Sequence, residues 1–359
     1  MKHFHFRLPV YFLCLWLISC EKPKDPDPDN PPPQSGAEGI YILNEGLMDM
    51  NNSSLSYYNF NDGTVTHSFF RKANGRGLGD TGNDLQQYGS KLYCIVNISE
   101  QLEIMDAHTC RSLKQIPLIG KKPRKIAFHK NKAYISCFDG SVVKIDTASM
   151  EIETTIRAGR NPEGICVANN KLYVANSGGL NYPDYNNTVS VFDLNSFSLI
   201  KNIEVATNPY ILAPDHQGDI YLVSKGNYGS VPHTFQRIDS RTDEVVQNFN
   251  LPVLNFTISG NYAYLYHYNF NTNDSWVKVM DVVSEKVVKE NFISDGTDIQ
   301  TPYGIMVNPV NGDVYITDAH LFTVNGDVYC FDKNGKKKFQ FEAGLNPSCM
   351  VLLENNKKN

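Results

Sequence analysis

The chain has 359 residues and a formal charge of −5, from 33 Lys and Arg against 38 Asp and Glu, with only 20% of residues charged. An acidic chain without a basic stripe excludes nucleic acid as its natural partner, because phosphate binding needs clustered Lys and Arg. Length alone suggests two domains of about 150 residues each, but an internal repeat overrides that division.

Taken in chain order, residues 1–19 read as a secretory leader. Lys2 and Arg7 give a basic start, and residues 8–18 form an apolar core too short to cross a bilayer as a helix. Leu17-Ile18-Ser19-Cys20 resembles the lipobox of bacterial lipoproteins, which makes Cys20 the expected lipidation site. Two or three acyl chains on one thiol and its amine hold a protein on a membrane essentially permanently. Residues 20–38 are rich in Pro and Asp (KPKDPDPDNPPP) and cannot bury a core. They are expected to be an extended tether reaching roughly 55 Å at about 3 Å per residue. An acidic stretch directly after the lipid-bearing Cys resembles the surface-export signal of some Gram-negative outer-membrane lipoproteins. The expected location is therefore the outer membrane, lipid-anchored and facing the cell surface.

Residues 39–353 carry the repeat. A Tyr sits inside a short apolar run seven times: Tyr41 (GIYIL), Tyr93 (KLYCIV), Tyr134 (KAYIS), Tyr173 (KLYVAN), Tyr221 (DIYLV), Tyr264 (YAYLY) and Tyr315 (DVYIT). The spacings are 52, 41, 39, 48, 43 and 51 residues. After all but the first comes a second run ending in apolar-Asp, at Asp106, Asp146, Asp193, Asp239, Asp281 and Asp332; the first unit has Tyr58-Asn59-Phe60 instead. Repeats of about 40–50 residues built from short strands predict an all-β fold, a seven-bladed β-propeller. Most units open with a loop ending in Pro (Pro123, Pro162, Pro209, Pro302, Pro347) and then an apolar strand. The Pro347 copy has no Tyr strand after it, and the Tyr41 strand has no Pro-led strand before it. The ring is thus expected to close by pairing N- and C-terminal strands in one blade, which leaves no open edge. No helical periodicity is read beyond residue 20, and residues 354–359 read as a polar tail.

Six cysteines remain after Cys14 and Cys20, and all but Cys110 fall in strand patterns, where Cys behaves as a small core residue. Their pairing is not readable from sequence, and no CxxC pair exists to suggest zinc.

In a propeller the loops between blades, and those between second and third strands, emerge on one face where the central channel opens. Here the between-strand loops are long and rich in aromatic and amide side chains, at 176–187, 224–234, 266–276 and 317–325. Arg124, Glu163, Tyr210, Tyr303 and Ser348, each following a Pro, are expected to ring the channel mouth. The candidate ligand-binding set is Asn83, Arg124, Glu163, Tyr182, Tyr185, Tyr210, Tyr228, Tyr268, Trp276, Tyr303 and Phe322. Flat rings with polar edges beside amides suit a large amide-bearing or sugar-like ligand. Enzyme signatures such as Gly-x-Ser-x-Gly, a P-loop or His-Glu-x-x-His are absent. A calcium-dependent lactonase arrangement would draw on Glu163, Asn83, Asp84 and Asp298, and His233, His267 and His320 are the histidines within the aromatic loops. No catalytic residue, metal or cofactor is assigned, and the chain is read as a non-enzyme.

The repeat form Pro-x-Gly-Ile…Lys-Leu-Tyr-Val-Ala-Asn…Val-x-Val-Phe-Asp resembles the YncE-like seven-bladed propellers across roughly residues 39–353. Together with the lipobox, the acidic Pro-rich tether and the aromatic loops, it resembles the BtuG family of surface corrinoid-binding lipoproteins. That resemblance implies capture of a corrinoid (a vitamin B12-type ligand) on the loop face and a TonB-dependent outer-membrane transporter as partner. A propeller that scaffolds other envelope proteins is the second expectation, and a metal-dependent lactonase- or lyase-like enzyme the third.

Overall fold

The computed structural model describes residues 37–269 and 272–354, together with Met1. The leader, Cys20, the tether up to residue 36 and the tail from residue 355 lie outside the described residues.

Seven four-stranded antiparallel sheets follow one another around a ring. Blade 1 takes its innermost strand from the C-terminus (Pro347–Glu354) and its other three from the N-terminus (Ala37–Asn44, Ser54–Asn59 and Val65–Thr66). The join is a full antiparallel ladder that pairs Gly39 with Leu353 and Leu43 with Cys349. Blades 2 to 7 begin with inner strands Gly82–Tyr88, Pro123–His129, Pro162–Ala168, Pro209–Pro214, Asn255–Ser259 and Pro302–Val307. Closure by both chain ends is as the repeat predicted. One departure is a six-residue helix, Phe69–Asn74, after the short fourth strand of blade 1; Phe70 anchors it in the core.

The burial gradient across each blade explains the residue choices. Second strands such as Lys91–Val96 and Lys171–Asn176 are buried on both faces, so they read as unbroken apolar runs. Fourth strands such as Glu151–Arg157 are largely exposed and carry Glu, Thr and Arg. Seven clusters of buried side chains form the core, and each lies between two consecutive blades. All six cysteines of the propeller are free thiols. Cys110, placed outside the strand patterns, is nevertheless fully buried in the cluster between blades 1 and 2.

In three blades the two sequence marks of the repeat turn out to be partners. The Asp closing each third strand folds the turn that follows: Asp193 accepts the amides of Asn195 (3.0 Å) and Ser196 (2.7 Å), and Asp281 those of Val283 and Ser284. This is the Asx-turn geometry, a carboxylate standing in for a backbone carbonyl. In blade 1 neutral Asn59 does the same for the Asn61 amide. In the same three blades the repeat Tyr then reaches across to the next blade's turn. Tyr41 donates to the Ala107 carbonyl (2.8 Å) and Tyr221 to that of Val282 (3.2 Å), each one residue past the Asp. Tyr173 donates to Asp243 (2.6 Å) in the corresponding turn of blade 5. Blade 2 is built differently: Lys91 takes the Thr147 carbonyl, and the Tyr93 hydroxyl is buried without a partner among the described residues.

Candidate functional site

Six of the seven inner strands carry a β-bulge at their first residues, where the ladder to the second strand skips. The residues left out of register are Asn83, Arg124 and Lys125, Glu163 and Gly164, Tyr210, Tyr303 and Gly304, and Ser348. A bulge turns a side chain away from the pleat, and here six of them surround one channel mouth. The approach is set by left-handed backbone just before the Pro, at Lys122 (φ 50), Asn161 (φ 45), Asn208 (φ 61) and Asn346 (φ 57). Asn tolerates this conformation better than other side-chain-bearing residues. Asn161 and Asn346 also donate to the carbonyls of Phe138 (2.7 Å) and Gly46 (2.8 Å), tying each entry to a neighbouring loop. Inner strands are packed so closely that a Cβ on Gly164 would lie 2.3 Å from the Tyr210 carbonyl oxygen.

A cavity of about 310 Å³ opens at this mouth, lined among others by Glu45, Asn83, Arg124, Lys125, Tyr210, Lys225, Tyr228, His233, Tyr303, Phe322 and Ser348. It adjoins a second of about 410 Å³ that shares Glu45, Arg124, Tyr303 and Phe322, and a third of about 170 Å³ that shares Arg124, Tyr210, Lys225 and Tyr228. The two larger volumes are in the range of small-molecule sites.

The polar groups of the floor are largely engaged with one another. Arg124 pairs with Glu163 through Nη2 and Nε (2.7 and 2.8 Å), and its guanidinium lies 4.4 Å from the Phe138 ring centroid. Asn83 donates to the Arg124 carbonyl (2.6 Å), and Lys125 returns a bond to the Asn83 carbonyl (2.7 Å). The Tyr303 hydroxyl donates to Glu45, and that of Tyr266 to the Tyr303 carbonyl. Burial raises the Tyr210 and Tyr303 hydroxyls well above the usual phenol range, with Glu163 and Glu45 respectively adding to it. Both phenols therefore stay neutral hydrogen-bonding groups. Lys225 holds its amine 3.2 Å from the Tyr210 ring centroid, and burial lowers its pKa to about 8.

Of the predicted residues, Asn83, Arg124, Tyr210, Tyr228, Tyr303 and Phe322 line the main cavity, and Glu163 and Tyr185 line its smallest neighbour. Tyr182 is exposed on the rim, edge-on to Tyr185 with centroids 6.2 Å apart. Tyr268 and Trp276 stand away from the mouth. The second strand of blade 6 runs to Tyr268 and the third starts at Ser275, so both aromatics belong to the ladder rather than to a loop. Tyr268 is buried with its hydroxyl on Asn273 (2.8 Å). Trp276 stacks on His267 opposite it and faces a separate cavity beside residues 291–299.

Residues that the loop reading did not single out complete the mouth: Glu45, Lys125, Lys225, Asn255 and Tyr266. Glu163 and Asp84 are each held against basic side chains, Arg124 at 2.7 Å and Lys125 at 3.7 Å. His320 pairs with Asp327 (3.0 Å). Among the described residues no group of three His, Cys, Asp or Glu is placed to hold a metal ion.

A family described as a domain of unknown function, DUF5074, matches residues 38–351. The chain belongs to the DUF5074 family. No curated protein matches it. Among solved structures it is similar to a quinonprotein alcohol dehydrogenase-like protein from Bacteroides thetaiotaomicron, at 16% identity and a TM-score of 0.67 over 89% of this chain and 79% of that one. It is also similar to the hydrazine synthase of Kuenenia stuttgartiensis (18% identity, TM-score 0.58, 68% of this chain and 74% of that one). A third is the computationally designed Ika8 protein (12%, 0.57, 90% and 98%). Identities this low carry the fold alone, and the fold is that of a seven-bladed propeller.

Proposed function

We propose that this DUF5074 protein is a lipid-anchored surface propeller that captures a corrinoid at its channel mouth and passes it to a TonB-dependent outer-membrane transporter. The observation that carries the binding role is the set of six bulges that turn Asn83, Arg124, Glu163, Tyr210, Tyr303 and Ser348 toward one mouth with three adjoining cavities. A corrin is a wide conjugated ring bordered by amides. It suits a funnel whose aromatic walls and amide-bearing rim come from several blades. The choice of corrinoid rests on the resemblance to surface corrinoid-binding lipoproteins, and the anchor on Leu17-Ile18-Ser19-Cys20.

Calorimetry of the purified propeller with cyanocobalamin and with cobinamide tests the ligand. Saturable heat that weakens by roughly 1–3 kcal/mol in Tyr210→Ala or Tyr303→Ala supports the reading, as expected of aromatic hot spots. The absence of heat and of any spectral change with both corrinoids rejects it. A Cys20→Ala chain is expected to leave the membrane fraction; retention there through salt and mild detergent washes would reject the anchor.

The second reading, a protein-docking propeller, draws on exposed apolar side chains around the same mouth: Met48, Leu180, Tyr182, Tyr228 and Leu321. Apolar residues gathered on a rim are an interaction feature. They suit a transporter surface as well as a scaffolded partner.

A further inference from the structure

We propose that the main cavity seats an anionic group of its ligand against Lys225, so that the ligand class is a largely aromatic or apolar molecule carrying a carboxylate, sulfonate or phosphodiester. This rests on the channel mouth being a binding site, but not on the ligand being a corrinoid.

Three cations line the cavity, and they differ in what they face. Arg124 is held by Glu163 at 2.7 Å. Lys125 donates to the Asn83 carbonyl and lies 3.7 Å from Asp84. Lys225, directly after the second strand of blade 5, has no ion pair and no hydrogen-bond acceptor among the described residues; its amine meets only the face of Tyr210. A half-buried cation set against an aromatic face recovers only part of the solvation it has lost. The depressed pKa of about 8 reports that shortfall: burial is its main cause, Arg124 and Lys125 push the same way, and Glu163 and Glu45 oppose them.

Two further polar atoms of the same cavity are buried and unused, Nδ1 of His233 and Oγ of Ser348. Burial first, then Lys225 and His267, hold the His233 pKa near 4, so its imidazole is neutral at physiological pH. It therefore adds a hydrogen-bonding atom without a competing charge. Glu45, across the mouth on blade 1, accepts from Tyr303 and would repel an anion on its own side. The acceptor-rich end of a ligand is thus directed toward blade 5. Between these poles the wall is apolar, with Ile211, Leu254 and Phe322.

The test uses two dyes of nearly one shape in place of the ligand: the monoanion 8-anilinonaphthalene-1-sulfonate and neutral N-phenyl-1-naphthylamine. Fluorescence titrations compare the native propeller with Lys225→Met and Lys225→Arg. Lys225→Met is expected to weaken the anionic dye on the order of 10-fold or more, as for a lost charge-assisted bond, and to leave the neutral dye within about 3-fold, within the scatter of such energies. Anion affinity is expected to fall between pH 7 and pH 10 in the native protein, as Lys225 loses its proton, and to stay level in Lys225→Arg. Equal effects on both dyes, no effect on either, or a native protein that binds neither would overturn the anion site. The corrinoid reading would still be judged separately by its own calorimetry.

Discussion

The two faces of the propeller are made by the same repeat under opposite rules. On the face of the third-to-fourth-strand turns, Asp106, Asp146, Asp193, Asp239, Asp281 and Asp332 each accept turn amides, and Asn59 repeats the contact in blade 1. On the channel face the corresponding positions of six blades hold Asn83, Arg124, Glu163, Tyr210, Tyr303 and Ser348, five residue types in six positions. One face is repetitive because every blade must solve the same local problem, closing the turn between its third and fourth strands. The other diverges because the bulges release its side chains from the ladder, so backbone geometry no longer dictates their identity. Scaffold and site are therefore separable in this chain, and the following experiments test that separation in order of decreasing effect.

Ending the chain before Pro347 removes the inner strand of blade 1 and should break both faces together. Met350 and Leu353 leave the core, and the inner edge of Ala37–Asn44 is left unpaired. The expected loss is comparable to the whole net stability of a domain, about 5–15 kcal/mol, seen as loss of the cooperative thermal transition by circular dichroism. An unchanged melting midpoint would refute closure by this strand.

Gly164→Ala strikes the channel face alone. Its new methyl would meet the Tyr210 backbone oxygen, which cannot move without shifting the blade 5 inner strand. A destabilisation of roughly 1–3 kcal/mol is expected in chemical denaturation, with ligand affinity reduced through Tyr210. Native stability in this variant would show that inner strands slide more freely than their contacts indicate.

The Tyr latch can be tested against a blade built without it. Tyr41→Phe removes a bond to the Ala107 carbonyl and should cost about 1 kcal/mol. Tyr93→Phe removes a buried hydroxyl that has no partner, so it should be neutral or slightly stabilising. Equal costs for the two variants would mean that the hydroxyls do not latch the blades.

The smallest effects per site belong to the turn aspartates. The Ser196 amide and hydroxyl hold Asp193 below the ordinary carboxylate range, the Ser284 amide does so for Asp281, and the Lys132 ammonium for Asp146. Groups with a lowered folded pKa contribute stability that is complete above their unfolded value near 4 and lost as pH falls through the lower folded value. Stability from these turns should therefore be level from pH 5 to 8 and decline below about pH 4. Asp193→Asn should flatten that decline in acid titrations of the melting midpoint; an unchanged acid limb would remove Asp193 from the account.

Much of the fold was legible because it is periodic. Tyr41 through Tyr315 and the closing Asp residues recur at blade spacing, and a unit that appears seven times outweighs any local ambiguity in strand prediction. The mouth was legible in part, because a Pro-led strand start places the next residue at the channel. Tyr268 and Trp276 misled because an aromatic-rich stretch reads equally well as loop or ladder, and cross-strand pairing of His267 with Trp276 settled it as ladder. Lys225 gave one faint signal, a Lys at the end of the strand-like run Ile-Tyr-Leu-Val-Ser at 220–224, but sequence could not say that it would lack an ion pair.

By itself, then, the sequence determined the seven-fold repeat, the closure of the ring by both ends and the positions that open each inner strand, since these depend on periodicity and on the local constraints of Pro, Tyr and Asp. Only the tertiary structure decided that Tyr41, Tyr173 and Tyr221 latch onto the next blade's Asp turn, that Arg124 spends its charge on Glu163 while Lys225 keeps its own, and that Glu45 faces Lys225's side of the mouth from across the ring. Those are relations between residues tens to hundreds of positions apart. They follow from how the blades pack around the axis, and no spacing in the chain records them.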